Sequence, residues 1–255
     1  MNAQAIWGTT GLLHMPTADM QKDKTFMFGG NILNKNMMPP RWNNTDYTHT
    51  YNYYVNITFF PWLEIAYTCT LVKGREIESS YWPQSTWGKF VNQDRNFSGR
   101  LRLWKEGWWK DWTPQIVLGA NDPGSFNAYG GGSISFDKSG NTSHHFNRYY
   151  IAVTKHIDFS AIGNLGIHAA YCYSIKDASL SYTGIAAGAN FKFCLPTEAL
   201  WAKFFNGLNL MAEYDTRHIN VGFNYAIWKE YINLIAELNN GKYFSGGVFF
   251  KVHLK

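Results

Sequence analysis

Apolar and polar residues alternate along most of this chain, most cleanly from Leu208 to Leu254. Leu208, Leu210, Ala212 and Tyr214 share one face, with Asn209, Met211, Glu213 and Asp215 on the other. Ile219, Val221, Phe223 and Tyr225 then oppose Asn220, Gly222, Asn224 and Ala226, and the runs Ile232–Leu238 and Val248–Leu254 repeat the pattern. A period of two marks a β-strand with one apolar face, because successive Cβ atoms point to opposite sides of the sheet. Asp215–Thr216–Arg217 and Asn239–Asn240–Gly241 supply turn residues between the runs. The stretch predicts an antiparallel meander of roughly 10-residue strands, a length that suits a tilted membrane strand.

The same reading upstream predicts strands at Thr25–Leu33, Tyr47–Phe59, Leu63–Val72, Phe97–Trp104, Thr113–Asn121, His145–Lys155, Leu165–Tyr173 and Tyr182–Phe193. A short helix is expected over Pro196–Phe205, and residues 6–24 have no sustained period and read as an irregular lead-in. The total is about twelve strands, an even number. Walking the chain puts the long loops 34–46, 73–96 and 122–144 on one side, with short turns and both termini on the other. Cys194–Asn206 is a longer connection on the short-turn side. Short turns on the periplasmic side and long loops outside are the pattern of outer-membrane barrels. The fold class expected is therefore all-β, an antiparallel up-and-down transmembrane β-barrel of about twelve strands.

Composition narrows the field. The 255 residues are 18% aromatic and 16% charged, against a usual charged share of about 25%. The net charge of +5 is scattered rather than gathered into the basic face that nucleic-acid binding needs. No apolar run reaches the roughly 18 residues of a membrane helix. The three cysteines, Cys69, Cys172 and Cys194, are far apart and read as free thiols or at most one pair. No nucleophile elbow, phosphate loop or zinc-spaced cluster appears. The Gly-rich Asn127–Ser133 follows no strand-to-helix unit, and His144–His145 reads as a solvated loop pair. Glu213 and Asp215 share a strand face, as carboxylates in acid–base catalysis would, but in a barrel they serve better to neutralise Arg100, Arg102 or Lys251. The expectation is a non-enzymatic protein with no metal and no cofactor. Ala3–Gln4–Ala5 fits the A-x-A form of a signal-peptidase site. Residues 1–5 are thus expected to be a signal-peptide remnant, and residues 6–255 a single barrel domain.

A soluble sandwich also alternates apolar and polar positions, so the solvent of the apolar face must be decided. The mid-strand ionisable residues Glu64, Arg100, Arg102, Lys192, Glu213, Glu237 and Lys251 all fall on the polar face. On a lipid face each Lys or Arg would cost about 2–4 kcal/mol at mid-membrane. Tyr47, Tyr51, Trp62, Trp104, Trp108, Trp109, Trp112, Tyr173, Tyr182 and Trp228 gather near run ends, as aromatic girdles do. Ile151, Val221, Phe223 and Val248 are expected to face lipid, and an arginine at position 221 to be worse than one at 220. The charged set is expected to form a lumen network with Glu213 or Glu237 bonded to Arg100, Arg102 or Lys251, closing the pore.

Five segments in order carry a resemblance. Gly11–Leu12–Leu13–His14–Met15–Pro16–Thr17–Ala18 is similar to a G-L-x-x-x-P-T-A start, and Pro61–Trp62–Leu63–Glu64 with Tyr67–Thr68 to a P-W-L-E strand. Asp94–Arg95–Asn96–Phe97 running into Arg100–Leu101–Arg102–Leu103, then Leu118–Gly119–Ala120–Asn121–Asp122 and Ala212–Glu213–Tyr214–Asp215, complete the set. Together they resemble the YjbH-type outer-membrane proteins of exopolysaccharide operons. The chain departs from that pattern at Asn96 and Asn121, where Ser and Arg are expected, and it is expected to be a short member without the additional C-terminal part of longer ones. The resemblance implies an outer-membrane barrel of a Gram-negative bacterium linked to export or surface assembly of polysaccharide, and the short-turn side, with both termini, is expected to be periplasmic. Its partners would be outer-membrane lipid, polysaccharide and a periplasmic or outer-membrane polysaccharide export protein, without nucleic acid. A small porin and a soluble carbohydrate-binding β-sandwich remain the alternative readings.

Overall fold

A computed structural model describes residues 2–38, 49–74, 83–126, 132–134, 145–175 and 180–254. Twelve antiparallel strands close into one barrel. They are β1 (Thr25–Leu33), β2 (Thr50–Phe60), β3 (Leu63–Lys73), β4 (Phe90–Trp104), β5 (Gln115–Asn121) and β6 (Arg148–Phe159). The second half is β7 (Gly163–Tyr173), β8 (Gly184–Phe193), β9 (Leu208–Tyr214), β10 (Ile219–Trp228), β11 (Ile232–Asn239) and β12 (Tyr243–His253). A helix, α1 (Leu200–Asn206), joins β8 to β9. Each strand pairs with its sequence neighbours, and β12 closes the ring against β1 with Val248 opposite Gly30 and Lys251 opposite Met27. Closure removes the unpaired backbone edges that an open sheet would leave.

Strand positions follow the alternation closely: β6 runs Arg148–Phe159 rather than His145–Lys155, the helix is Leu200–Asn206 rather than Pro196–Phe205, and the largest difference is at β4. β4 begins at Phe90 rather than Phe97, so the long loop expected over 73–96 ends seven residues earlier. The expected strand start at Tyr47, the whole of 39–48, and His144 lie outside the described residues. Part of the Gly-rich stretch also lies outside them, while its end, Gly132–Ile134, pairs with Gly124–Phe126. The β11–β12 turn is the one that its Asn-Gly pair demands: Asn240 and Gly241 have φ of 50° and 68°, the left-handed pair of a type I′ hairpin.

Two rims can be distinguished. The near rim carries Thr25, the Phe60–Leu63 turn, α1 and His253; the far rim carries Leu33, Thr50, Arg148 and Gly184. The outer wall is apolar, with exposed Phe28, Val55, Ile65, Leu118, Ile167 and Leu234 among many others. Ile151 (43%), Val221 (39%) and Val248 (38%) are exposed on this wall, and Phe223, half-buried, stands in the same outward register between Leu210 and Ala236.

The largest departure from expectation is at the start of the chain. The irregular lead-in does not simply lead into the barrel: residues 4–21 are every one buried. They fold inside the barrel as a plug, tied into its wall by the bonds described below. Asn2–Ala3 pairs with Thr10–Gly11, and Gly8 takes a φ of 64° to turn under the Tyr54 ring. The plug crosses the lumen from end to end. Trp7 lies at the far rim, its indole donating to the Phe146 carbonyl, whereas Lys24 lies at the near rim, its carbonyl accepting from Leu254. Residues 4–7 and the C-terminal strand end are therefore at opposite mouths, not on one side.

Candidate functional site: the plugged lumen

An irregular segment inside a barrel carries backbone groups that no ladder satisfies, and each must find a partner. The inward residues of the wall provide them. Glu213 on β9 accepts the backbone N–H of Leu13 (3.0 Å), His14 (2.7 Å) and Met15 (3.0 Å), together with the Asn220 amide (3.1 Å). On the opposite wall, Glu64 of β3 accepts the N–H of Thr10 (2.7 Å), the Asn56 amide (2.8 Å) and the Arg100 guanidinium (3.1 Å). Arg100, on β4, also donates to the carbonyls of Thr17 and Asp19. Asn31 and Asn52 reach the Ala5 carbonyl, Asn56 that of Gly8 and Thr68 that of Trp7. The wall thus treats the plug's main chain as a partner strand would.

The expected pairing across the lumen is corrected here. Neither Glu213 nor Glu237 bonds Arg100, Arg102 or Lys251: Glu213 is taken up by plug amides, and Glu237 lies 3.1 Å from His14 Nε2. Arg100 pairs with Glu64 on the adjacent strand, both fully buried. The plug supplies donors nearer than any cation on the far wall, and a buried carboxylate takes them first. Arg102 sits half-buried near the rim, where it reaches Gln115 at 3.5 Å. Lys251 is buried with its ammonium over the Phe249 ring, while Lys192 is exposed. The seven charged residues therefore split into a plug-holding set, Glu64, Arg100, Glu213 and Glu237, and a near-rim set, Arg102, Lys192 and Lys251.

Sequence reasoning missed two residues that matter and misplaced a third. Arg148, on β6, donates to the His14 carbonyl (2.7 Å) and to Asn121 (3.0 Å) while its guanidinium lies 3.6 Å from the centre of the Trp7 ring. His14 belongs to the plug, and no alternation marks it. Tyr182, assigned to the aromatic belt, is buried against Trp7 at the far mouth instead. Tyr47 lies outside the described residues. The other belt residues fare differently: Trp62, Trp104, Trp108, Trp109, Trp112 and Trp228 are exposed around the near rim, and Tyr51 and Tyr173 near the far one.

Apolar packing completes the closure. Leu12, Leu13, Met15 and Met20 join Tyr54, Tyr150, Met211, Ile235 and Phe249 in one cluster at mid-lumen. Ile6 and Trp7 join Leu33, Met37, Phe146 and Tyr182 at the far mouth. Gly188 on β8 makes the room: a Cβ there would come within 2.7 Å of Leu12. At the near rim Asp19 lies 3.3 Å from His156, which bonds Glu106 (2.6 Å), itself paired with Lys155 (2.8 Å). Burial would push the Glu106 carboxyl up, but the bonds from Lys155 and His156 hold it below the usual carboxylate range.

Glu64 and Glu213 each accept several donors, whereas one Glu237 oxygen is buried without a hydrogen-bond partner. Among the described residues no group of three or more His, Cys, Asp or Glu is placed to hold a metal ion. The three cysteines are free thiols.

Comparison with known proteins agrees with the motifs. The family described as exopolysaccharide biosynthesis protein YbjH, the YjbH family, matches residues 3–170. An uncharacterized lipoprotein of Escherichia coli strain K12, YjbH, is 32% identical over 122 residues, which are 48% of this chain and 15% of that protein. The chain therefore corresponds to a small part of that relative's length. Of the five motif segments, four fall within the matched residues, and Ala212–Asp215 lies beyond them.

Proposed function

Because the chain belongs to the YjbH exopolysaccharide biosynthesis family, we propose that it is a non-enzymatic outer-membrane barrel of a Gram-negative bacterium that takes part in exopolysaccharide export or surface assembly. The apolar outer wall supports a membrane setting. Soluble monomers rarely expose contiguous apolar patches beyond a few hundred Å², yet here the apolar wall continues around the ring. Strands of 11 residues such as β12, tilted as in such barrels, span about 25 Å, the height of an outer-membrane apolar band. The exposed tryptophans at the near rim fit a girdle at the interface.

The observation that carries the role is the plug. A polymer cannot pass while residues 4–21 fill the lumen and are held by Glu64, Arg100, Glu213 and Arg148. The barrel then acts as a platform or partner for a separate export channel, with outer-membrane lipid around it and polysaccharide and an export protein as its other contacts. The test is conductance in planar bilayers. Wild type should be silent or nearly so, and a variant lacking residues 2–21 should open steady channels. Glu213→Gln or Arg102→Gln alone should open at most brief events. A large, steady wild-type conductance untouched by these changes would instead make it a porin.

A further inference from the structure

At the near rim, between α1 and the ends of β8–β12, lies a cavity of about 910 Å³ that the plug does not enter. Its charge is one-sided. Lys192, Lys203, Lys229 and Lys251 line it, with Glu230 the one carboxylate among the described lining residues. Glu230 is taken up by His253 at 3.0 Å, and Lys203 by Glu198 at 3.0 Å. Lys192 and Lys229 have no ion-pair partner among the described residues. Four asparagines, Asn206, Asn209, Asn224 and Asn233, share the wall. Asn224 and Asn233 donate to the carbonyls of Leu234 and Glu230, and Asn209 accepts from Asn190, so these amides are held in place. Phe204 and Tyr225, in ring contact at 5.4 Å, form an apolar edge.

We propose that this cavity binds a short anionic saccharide, its carboxylates on the lysines and its hydroxyls on the asparagine amides. The inference deepens the proposed function by naming the substrate class and rests on that reading for its biological sense. Each element has a chemical counterpart in such a ligand. Ammonium groups are mobile point charges suited to carboxylates spaced along a chain. An amide offers two donors and an acceptor, which matches a hydroxyl that both gives and takes a hydrogen bond. An aromatic edge accepts the apolar face of a sugar ring. The volume lies within the usual 300–1,000 Å³ of ligand sites, approximately enough for a few sugar units. Lys192, Asn209, Asn224, Asn233 and Lys251 stand in the inward register of their strands, so the ligand comes from the aqueous mouth rather than from the lipid.

The experiment is calorimetric titration of the purified full chain in neutral detergent with tetragalacturonate, maltotetraose and inorganic phosphate as separate probes. Tetragalacturonate should bind, and the Lys192→Ala/Lys229→Ala double variant should weaken it by about tenfold per lysine removed, the loss of one charged hydrogen bond each. Lys35→Ala, at the far rim, should leave it unchanged. Equal binding of maltotetraose would overturn the anionic class. Phosphate competing as well as the tetramer would overturn the saccharide, and full retention by the double variant would overturn the location. The bilayer recordings do not use this ligand. A silent barrel that ignores tetragalacturonate therefore loses the pocket alone, and a barrel that binds it yet conducts steadily loses the platform role alone.

Discussion

Glu213 accepts four hydrogen bonds, three of them from consecutive plug amides. It does for the turn at Leu13–Met15 what an anion does at a helix N-terminus, gathering N–H groups that have no ladder partner. Its removal strands those donors in a buried site, and each stranded group costs about 1–3 kcal/mol. Glu213→Ala should therefore lower stability by about 3 kcal/mol or more, read as the urea midpoint for unfolding from lipid vesicles. Glu213→Gln keeps one acceptor and should lose less. The structure also revises an expectation for the neighbouring strand. Asn220 is fully buried and bonded to Glu213 and Asp215. An arginine there would break the plug's anchorage, so it would not be the mild change that its polar face suggested.

Among the elements, β12 and β10 allow the membrane reading to be graded by depth. Val248 is the sixth residue of the 11-residue β12, and Val221 the third of the ten-residue β10. An outward arginine costs about 2–4 kcal/mol at the bilayer midplane and about 0–1 near its edges. Val248→Arg should accordingly impair assembly more than Val221→Arg, measured as the heat-modifiable fraction on gels after folding into vesicles. Equal effects would contradict a bilayer centred on these strands. At the near rim the β4–β5 turn is latched to β6 through Glu106. Its carboxyl pKa is lowered in the folded state, so the latch contributes above the ordinary carboxylate pKa of about 4.3 and is lost as pH falls through the lowered value. The group is partly exposed, and solvent screening limits the gain to less than about 1 kcal/mol. The wild-type melting temperature should dip below about pH 4 more than that of Glu106→Gln.

For the whole molecule, the decisive relation is between wall and plug. The motif segments that resemble the family meet there: Gly11–Ala18 is the middle of the plug, and Glu64, Arg100 and Glu213 are its holders. Asn121, which departs from the family pattern, orients Arg148 under the same segment. The lumen is therefore a packed core rather than a water-filled channel, with aliphatic and aromatic side chains of plug and wall in one cluster. If residues 2–21 are deleted, the wall keeps its ladder but loses this core. The open channels expected of that variant should then come with a lower melting temperature, and open channels without any loss of stability would mean the plug is not packed as described.

The sequence alone was enough for the ring. Alternation has a local cause, since one residue's step along a strand reverses its face, so twelve strands, their inward charges and their outward aliphatics were legible from Thr25 to Leu254. Turn chemistry was equally local at Asn240–Gly241. The early start of β4 was not legible, because Phe90–Asn96 mixes polar and aromatic residues without a clean period. Only the tertiary structure decided what fills the ring. Residues 4–21 adopt no period because their partners are spread over many strands rather than one, and contacts such as Leu13 with Glu213 or Trp7 with Phe146 lie 200 and 139 positions apart. Charge pairing failed to follow from strand parity for the same reason: parity tells which residues enter the lumen, but the partner each one takes depends on what else is already inside.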